Sequence, residues 1–292
     1  MPTKTIHLEQ ALTPLPGSTL LLALTGWMDG GNVSTGTVRQ FMNDRVLQRV
    51  SDIPPGGFYI DNFPGSMELT ALFRPHVKYV NGLIKSFDTH ENTLFADPSA
   101  NLAFFIGREP NVNWTAFADI LFGVIAKLQC TRVVFVGSFG GTVPHTREPR
   151  LFGSATTEAL VQTLIDHGIR PTDYEGPASF ATYLLSLAPS HDVEMISISA
   201  EIPGYLQGPN PLCIEAVARR LAHLVGTPIN FSSLRDTSTA WELHVTDLVA
   251  KDDELAATVR RLEEQYDNEL IGIPTPDLQD AEEAEEPDTD RD

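Results

Sequence analysis

The sequence predicts an α/β protein built on a mostly parallel sheet, and three observations carry that prediction. Short apolar runs at 18–24, 102–106 and 133–136 read as buried strands, and 193–199 as an alternating or buried one. Segments with apolar residues at helical spacing stand between them. Glycine or proline punctuates most of the junctions. Alternation of strand and helix is the pattern of a layered α/β domain.

Taken in order, the first strand ends at Thr25-Gly26-Trp27-Met28-Asp29-Gly30-Gly31-Asn32. Val33 to Val50 then has helical spacing, with Val38, Phe41, Met42, Val46 and Val50 available for one face. Asp29 or Asn32 suits the helix cap. Trp27, a large aromatic beside glycines, suits either the wall of a binding site or a plug for the sheet end. A loop at 51–57 precedes short extended pieces at 58–60, 76–80 and 83–87. Asn81-Gly82, between the last two, is a strong hairpin signal. Residues 61–75 read as a loop or short helix reaching over an edge.

The strand at 102–106 passes through Gly107-Arg108-Glu109-Pro110 into a helix over 113–129. Its apolar side carries Trp114, Phe117, Ile120, Leu121, Val124 and Leu128. Val133 to Val136 make the next strand, and Gly137, Gly140 and Gly141 predict a sharp exit from it. Pro144-His145-Thr146-Arg147 follows on an irregular loop. Helices are expected over 155–167, 178–188 and 212–225. The strand at 193–199 ends at Ala200-Glu201-Ile202-Pro203-Gly204-Tyr205. Residues 239–270 look helical, with Leu255, Val259, Leu262 and Tyr266 in one stripe. The expected organisation is an α/β domain over 1–228, a C-terminal helical appendage over 229–273 and a disordered acidic tail over 274–292.

Composition narrows the function classes. No stretch approaches the roughly 18 apolar residues of a membrane helix. The run Leu20 to Leu24 also lacks the flanks of a signal peptide, so the expected location is the cytoplasm. Cys130 and Cys213 lie far apart amid apolar residues and read as buried, reduced thiols. The eight histidines show no ligand grouping, so neither a metal nor a cofactor is expected. Of the net charge of −19, residues 275–292 carry −8, from nine acids and one arginine, which leaves −11 for the rest. No basic footprint for nucleic acid is present.

Ligands of α/β sheets bind at the carboxyl ends of the strands. His145 there could move a proton near neutral pH, Arg147 could clamp a phosphate or carboxylate, and Glu201 could hold a sugar hydroxyl or base edge. The structural alternatives are an ion pair of Arg147 with Glu148 or with the acidic surface generally, and a cap or loop hydrogen bond for Glu201. Neither a P-loop nor a Gly-x-Ser-x-Gly nucleophile elbow is formed around Ser138.

Gly26-Trp27-Met28-Asp29-Gly30-Gly31, Tyr174-Glu175-Gly176-Pro177 and Glu201-Ile202-Pro203-Gly204-Tyr205, in that order, resemble signatures of the proteasome assembly chaperone family in its bacterial and archaeal branch. Gly107-Arg108-Glu109-Pro110 and Pro144-His145-Thr146-Arg147 resemble its actinobacterial-type subgroup. The resemblance covers roughly residues 18–226. It implies a three-layer α/β/α fold similar to purine nucleoside phosphorylases, in a homo-oligomer. The chain ends Asp290-Arg291-Asp292 rather than in a hydrophobic-Tyr-x tripeptide, so docking on a proteasome by such a tail is not expected.

Two function classes stay open. The favoured one is a non-catalytic protein-binding or assembly protein, with or without a vestigial small-ligand pocket, and with proteasome subunits as the expected partner. The alternative is a nucleoside phosphorylase- or hydrolase-like enzyme acting on a small anionic or nucleoside-like substrate. Candidate ligand-binding residues are Trp27, Asp29, His145, Thr146, Arg147, Glu201 and Tyr205. A trimer or tetramer, formed through sheet-edge loops and the 239–270 helices, is the expected oligomer.

Overall fold

Alternating side chains of the first strand, β1 (Ser18–Thr25), show how the layers arise. Leu20, Leu22 and Leu24 enter one core, and Leu21 and Ala23 enter the other, because successive residues of a strand point to opposite faces. A strand apolar on both faces needs a helical layer on each side. This computed structural model describes residues 13–71, 73–87 and 91–272.

After β1 come α1 (Val33–Met42), β2 (Gln48–Asp52), α2 (Met67–Ala71), β3 (Val77–Val80), β4 (Leu83–Phe87), β5 (Thr93–Asp97) and β6 (Leu102–Arg108). The chain continues with α3 (Trp114–Leu128), β7 (Cys130–Gly141), β8 (Leu151–Ala155), α4 (Glu158–Asp166), β9 (Arg170–Pro171) and α5 (Phe180–Leu187). It closes with β10 (Glu194–Pro203), α6 (Pro211–Leu224), α7 (Ser232–Val249) and α8 (Asp253–Leu270).

The main sheet has the order β2-β5-β6-β1-β7-β10-β8-β9. Its central strands β6, β1, β7 and β10 run parallel, and antiparallel pairings of β5 with β6 and of β8 with β10 flank them. One face is covered by α3 and α5, through Phe117, Leu121 and Phe180. The other is covered by α1, α4 and α6, through Phe41, Leu164, Val217 and Leu221. Burying each such side chain is worth about 1.5–3 kcal/mol. The fold is therefore the layered, mostly parallel α/β architecture expected, with C-terminal helices added. Among the described residues no helix is long and apolar enough to cross a membrane. The expected acidic tail lies outside the described residues.

Several elements differ from the sequence reading. The helix expected to reach Val50 stops at Met42, where Asp44 turns the chain with φ 59°. Gln48–Asp52 instead pairs with β5 as a strand, and Val46 is 90% exposed. Strand pairing here overrides a weak helical period. The β5 strand itself has no counterpart in the sequence reading. Residues 58–60 are not a strand: Phe58 is buried edge-on against Phe117, ring centroids 5.0 Å apart.

The largest correction concerns β7, which does not end at Val136 but runs on to Gly141 beside β10. Gly137 and Gly141 are there for space rather than for a turn. A Cβ on Gly137 would meet the Phe135 ring at 2.8 Å, and one on Gly141 would collide with the Glu201 carboxylate. Ala155 belongs to β8, and α4 starts after Thr157, whose hydroxyl accepts from Leu160 N–H at 3.3 Å. Residues 239–270 are divided between two helices, with Asp252 capping α8 at Leu255 N–H, 3.0 Å. The expected hairpin forms between β3 and β4, with Asn81 and Gly82 both at positive φ.

Candidate functional site

The long strands β7 and β10 carry their ends beyond the rest of the sheet, and the loop 142–150 folds back over them. Glu201 sits beneath that loop, 5% exposed. Its Oε1 accepts from Thr142 N–H at 2.6 Å and Val143 N–H at 3.1 Å. Its Oε2 takes Arg150 Nη1 at 3.0 Å. Arg150, 8% exposed, also donates to Glu269 Oε2 at 2.8 Å and lies over the Tyr266 ring, 4.5 Å from its centroid. The buried carboxylate is thus fully engaged by one cation and two amides, which is what a buried charge requires.

His145 is 1% exposed and held from both sides. Its backbone N–H donates to the Tyr205 hydroxyl at 2.9 Å, and that hydroxyl lies 2.8 Å from Nδ1. Nε2 lies 3.2 Å from Thr246 Oγ1, and Thr246 donates its own hydroxyl proton to the Glu242 carbonyl at 2.9 Å. The arrangement that satisfies both ring nitrogens therefore has Nε2–H donating to Thr246 and Nδ1 accepting from the Tyr205 hydroxyl. Burial pulls the His145 pKa below the ordinary imidazole value against the pull of Glu263. Burial likewise pushes Tyr205 up to about 12.

Thr146 donates to Glu263. Arg147 forks onto Asp267 through Nε at 2.8 Å and Nη2 at 2.7 Å. Their hydrogen bonds raise the Arg147 pKa and lower that of Asp267. Of the structural alternatives for Arg147, the ion pair is made with the acids of α8 rather than with Glu148. Glu148 instead lies 3.5 Å from Arg219, and its carbonyl accepts the Tyr266 hydroxyl at 2.9 Å.

The structure thus brings five of the seven candidate residues, His145, Thr146, Arg147, Glu201 and Tyr205, into one network. Its other half is the α7–α8 hairpin, through Thr246, Glu263, Tyr266, Asp267 and Glu269. Such an arrangement clamps a helical hairpin onto the strand ends. Arg150 and the α8 acids were missed in the sequence. The available signal was Glu263 and Asp267 at i and i+4 beside the apolar stripe, facing two arginines three residues apart.

Asp29 and Trp27 stand outside that network. The Asp29 carboxylate takes Thr35 N–H at 3.0 Å and the Thr35 hydroxyl at 2.9 Å, which ties the turn after β1 to the start of α1. Burial raises its pKa. Asn32, at φ 54°, makes no side-chain cap bond. Trp27 is 57% exposed and lines a cavity of about 840 Å³ with Met28, Phe139, Phe152, Tyr174 and Thr182. None of the other six candidates lines that cavity. Both cysteines are buried, and burial raises their pKa values, so neither is an activated thiolate. Among the described residues no three His, Cys, Asp or Glu side chains converge as a metal site.

The model of the PAC2 family matches residues 23–249, from β1 to the end of α7. Among curated proteins, none matches the chain. Solved structures similar to it include a protein of unknown function from Corynebacterium glutamicum, with TM-score 0.78 and 19% identity over 91% of this chain and 98% of that one. A proteasome-assembly chaperone homologue from Mycobacterium tuberculosis is 26% identical over 82% of this chain and 99% of its own, with TM-score 0.70. PbaB, an archaeal proteasome activator from Pyrococcus furiosus, is 14% identical over 84% and 98%, with TM-score 0.62.

Proposed function

The chain belongs to the PAC2 family, and from that premise we propose that it is a non-catalytic protein-binding and assembly protein similar to proteasome assembly chaperones. The observation that carries the reading is the family match over residues 23–249, which takes in the end of β1, the other parallel strands of the sheet centre and helices of both layers. The Mycobacterium tuberculosis chaperone homologue, at 26% identity, makes proteasome subunits the partner class to test first. The reading includes a homo-oligomer, trimeric or tetrameric, working in the cytoplasm. It gives His145, Arg147 and Glu201 no catalytic role, because each is committed to holding α7, α8 or the loop beneath them.

Two measurements on the purified protein test this together. Immobilised full-length chain is expected to retain proteasome α-subunits of an actinobacterium, and to change the rate at which they assemble with β-subunits. A thermal-shift series with phosphate, nucleosides and sugar phosphates is expected to be flat. A true ligand at 100 times its dissociation constant would add about 2.7 kcal/mol and be plainly visible. Failure to retain α-subunits, together with a nucleoside shift that His145→Ala and Glu201→Ala abolish, would overturn the proposal in favour of an enzyme.

A further inference from the structure

Residues 61–71 and 73–87 leave the body as an arm, and among the described residues its two strands pair only with each other. A two-stranded hairpin is marginal in water unless an apolar face is covered. Here the register shift between Lys78 and Tyr79 leaves Lys85 as the extra residue of β4. Ile84 and Phe87, an odd number of residues apart, thereby come to share a face with Val77 and Tyr79. That face is open: Tyr79, Ile84 and Phe87 are each more than half exposed, as are Leu83 at the turn and Met67 on α2. Covering Tyr79, Leu83, Ile84 and Phe87 would remove on the order of 500 Å² of largely apolar surface. With α2 added, this approaches the roughly 800 Å² per partner of a stable interface.

Charge narrows the occupant. In a chain of net charge −19, residues 61–87 carry Asp61 and Glu68 against Arg74, Lys78 and Lys85, a net +1. Copies of so acidic a protein repel one another, and the arm is where that repulsion is lifted. Each copy also offers a complementary surface. The cavity beside Trp27 is walled by Phe139, Phe152 and Tyr174, and among the described residues Asp173 is the one charged side chain in its lining.

We infer that the β3–β4 arm of one copy docks into the Trp27–Phe139–Tyr174 cavity of a second copy, with Lys85 and Lys78 meeting Asp173. The contact joins two different surfaces, so repeating it about one axis closes a ring, and the trimer or tetramer of the proposed function is the closed form taken here. This rests on the homo-oligomer part of the proposed function and names its interface.

Light scattering on full-length protein at micromolar concentration tests it, with circular dichroism to establish that each variant is folded. Wild type is expected to be a trimer or tetramer of the 32.0 kDa chain. The arm variant I84D/F87S and the cavity variant W27A/Y174D are each expected to run as monomers. Mixed in equal amounts they should form a species of two chains and no larger, because one intact arm meets one intact cavity and the ring cannot close. Lys85→Glu should weaken assembly several-fold, and adding Asp173→Lys to it should restore assembly. A wild type that is monomeric overturns the homo-oligomer reading and this interface with it. Wild-type oligomers that survive in both variants overturn this interface alone. A mixture that stays monomeric, or a cavity variant that still assembles, overturns the arm-to-cavity pairing.

Discussion

The α7–α8 hairpin and the β3–β4 arm both leave the same α/β body, and they meet opposite fates. The helical hairpin is absorbed by its own chain. Val259, Leu262 and Tyr266 of its stripe are buried, and Glu263, Asp267 and Glu269 meet Thr146, Arg147 and Arg150. The arm is not absorbed: no residue of β4 is buried. An apolar stripe in a sequence therefore says that a surface will be covered, not by what. The sequence left the 239–270 stripe to pack on the main domain or on another subunit, and the structure packs it on the main domain, against the loop at 142–150 together with Tyr205 and Leu206.

If the helical hairpin is held from within, changes at its seat should lower the stability of the isolated chain. The largest effect is expected from Arg150→Ala, which leaves the Glu201 carboxylate buried without its cation. Breaking such a pair costs about 3–5 kcal/mol, read as a lower midpoint in denaturant unfolding. Leu262→Ala comes next. Truncating a buried leucine costs about 2–5 kcal/mol, and the lower end suits a helix packed on one side. A wild-type-like midpoint for Leu262→Ala would place α8 off the body in solution.

A smaller effect should appear with pH. The pKa of His145 is depressed in the folded protein, so between that value and the unfolded value near 6.5 only the unfolded chain takes up the proton. Stability should therefore be complete above about pH 6.5 and fall as the pH drops toward the folded value. Asp267, also depressed, adds its loss only below about pH 4. His145→Gln should flatten the upper part of that profile, in melting curves taken from pH 7.5 to 5.0. An unchanged slope would mean that His145 is solvated. The smallest effect belongs to the arm. At concentrations where the chain is monomeric, I84S/F87S should shift stability by no more than about 0.5 kcal/mol, because those side chains touch little of their own chain.

How much of this was legible in the sequence depends on which forces decide each piece. Strands buried on both faces, such as Leu20–Leu24 and Val133–Val136, announce themselves because two apolar layers demand unbroken apolar runs. Asn81-Gly82 was legible because positive φ at both positions restricts the residue choice. The glycines of β7 misled because glycine serves equally for a turn and for close packing, and only the Glu201 side chain distinguishes the two. Strands β5 and β8, each second from an end of the sheet, stayed hidden: β5 is a five-residue run that pairs back on β6 and on β2, and β8 pairs with β10 roughly 45 residues further along. In the candidate site, His145, Glu201 and Tyr205 were found from their place at or beyond strand ends. Their role depended on α7 and α8, roughly 40 to 120 residues further along, which no local pattern could reveal.

Hydrogen exchange read by mass spectrometry, on full-length protein across a dilution series, tests the contrast most directly. Amides of α8 should show the same protection at every concentration, because their cover is intramolecular. Amides of β3 and β4 should exchange fast in dilute solution and become protected as concentration rises. Protection of α8 that grows with concentration, or a β3–β4 hairpin fully protected in the dilute monomer, would contradict the account.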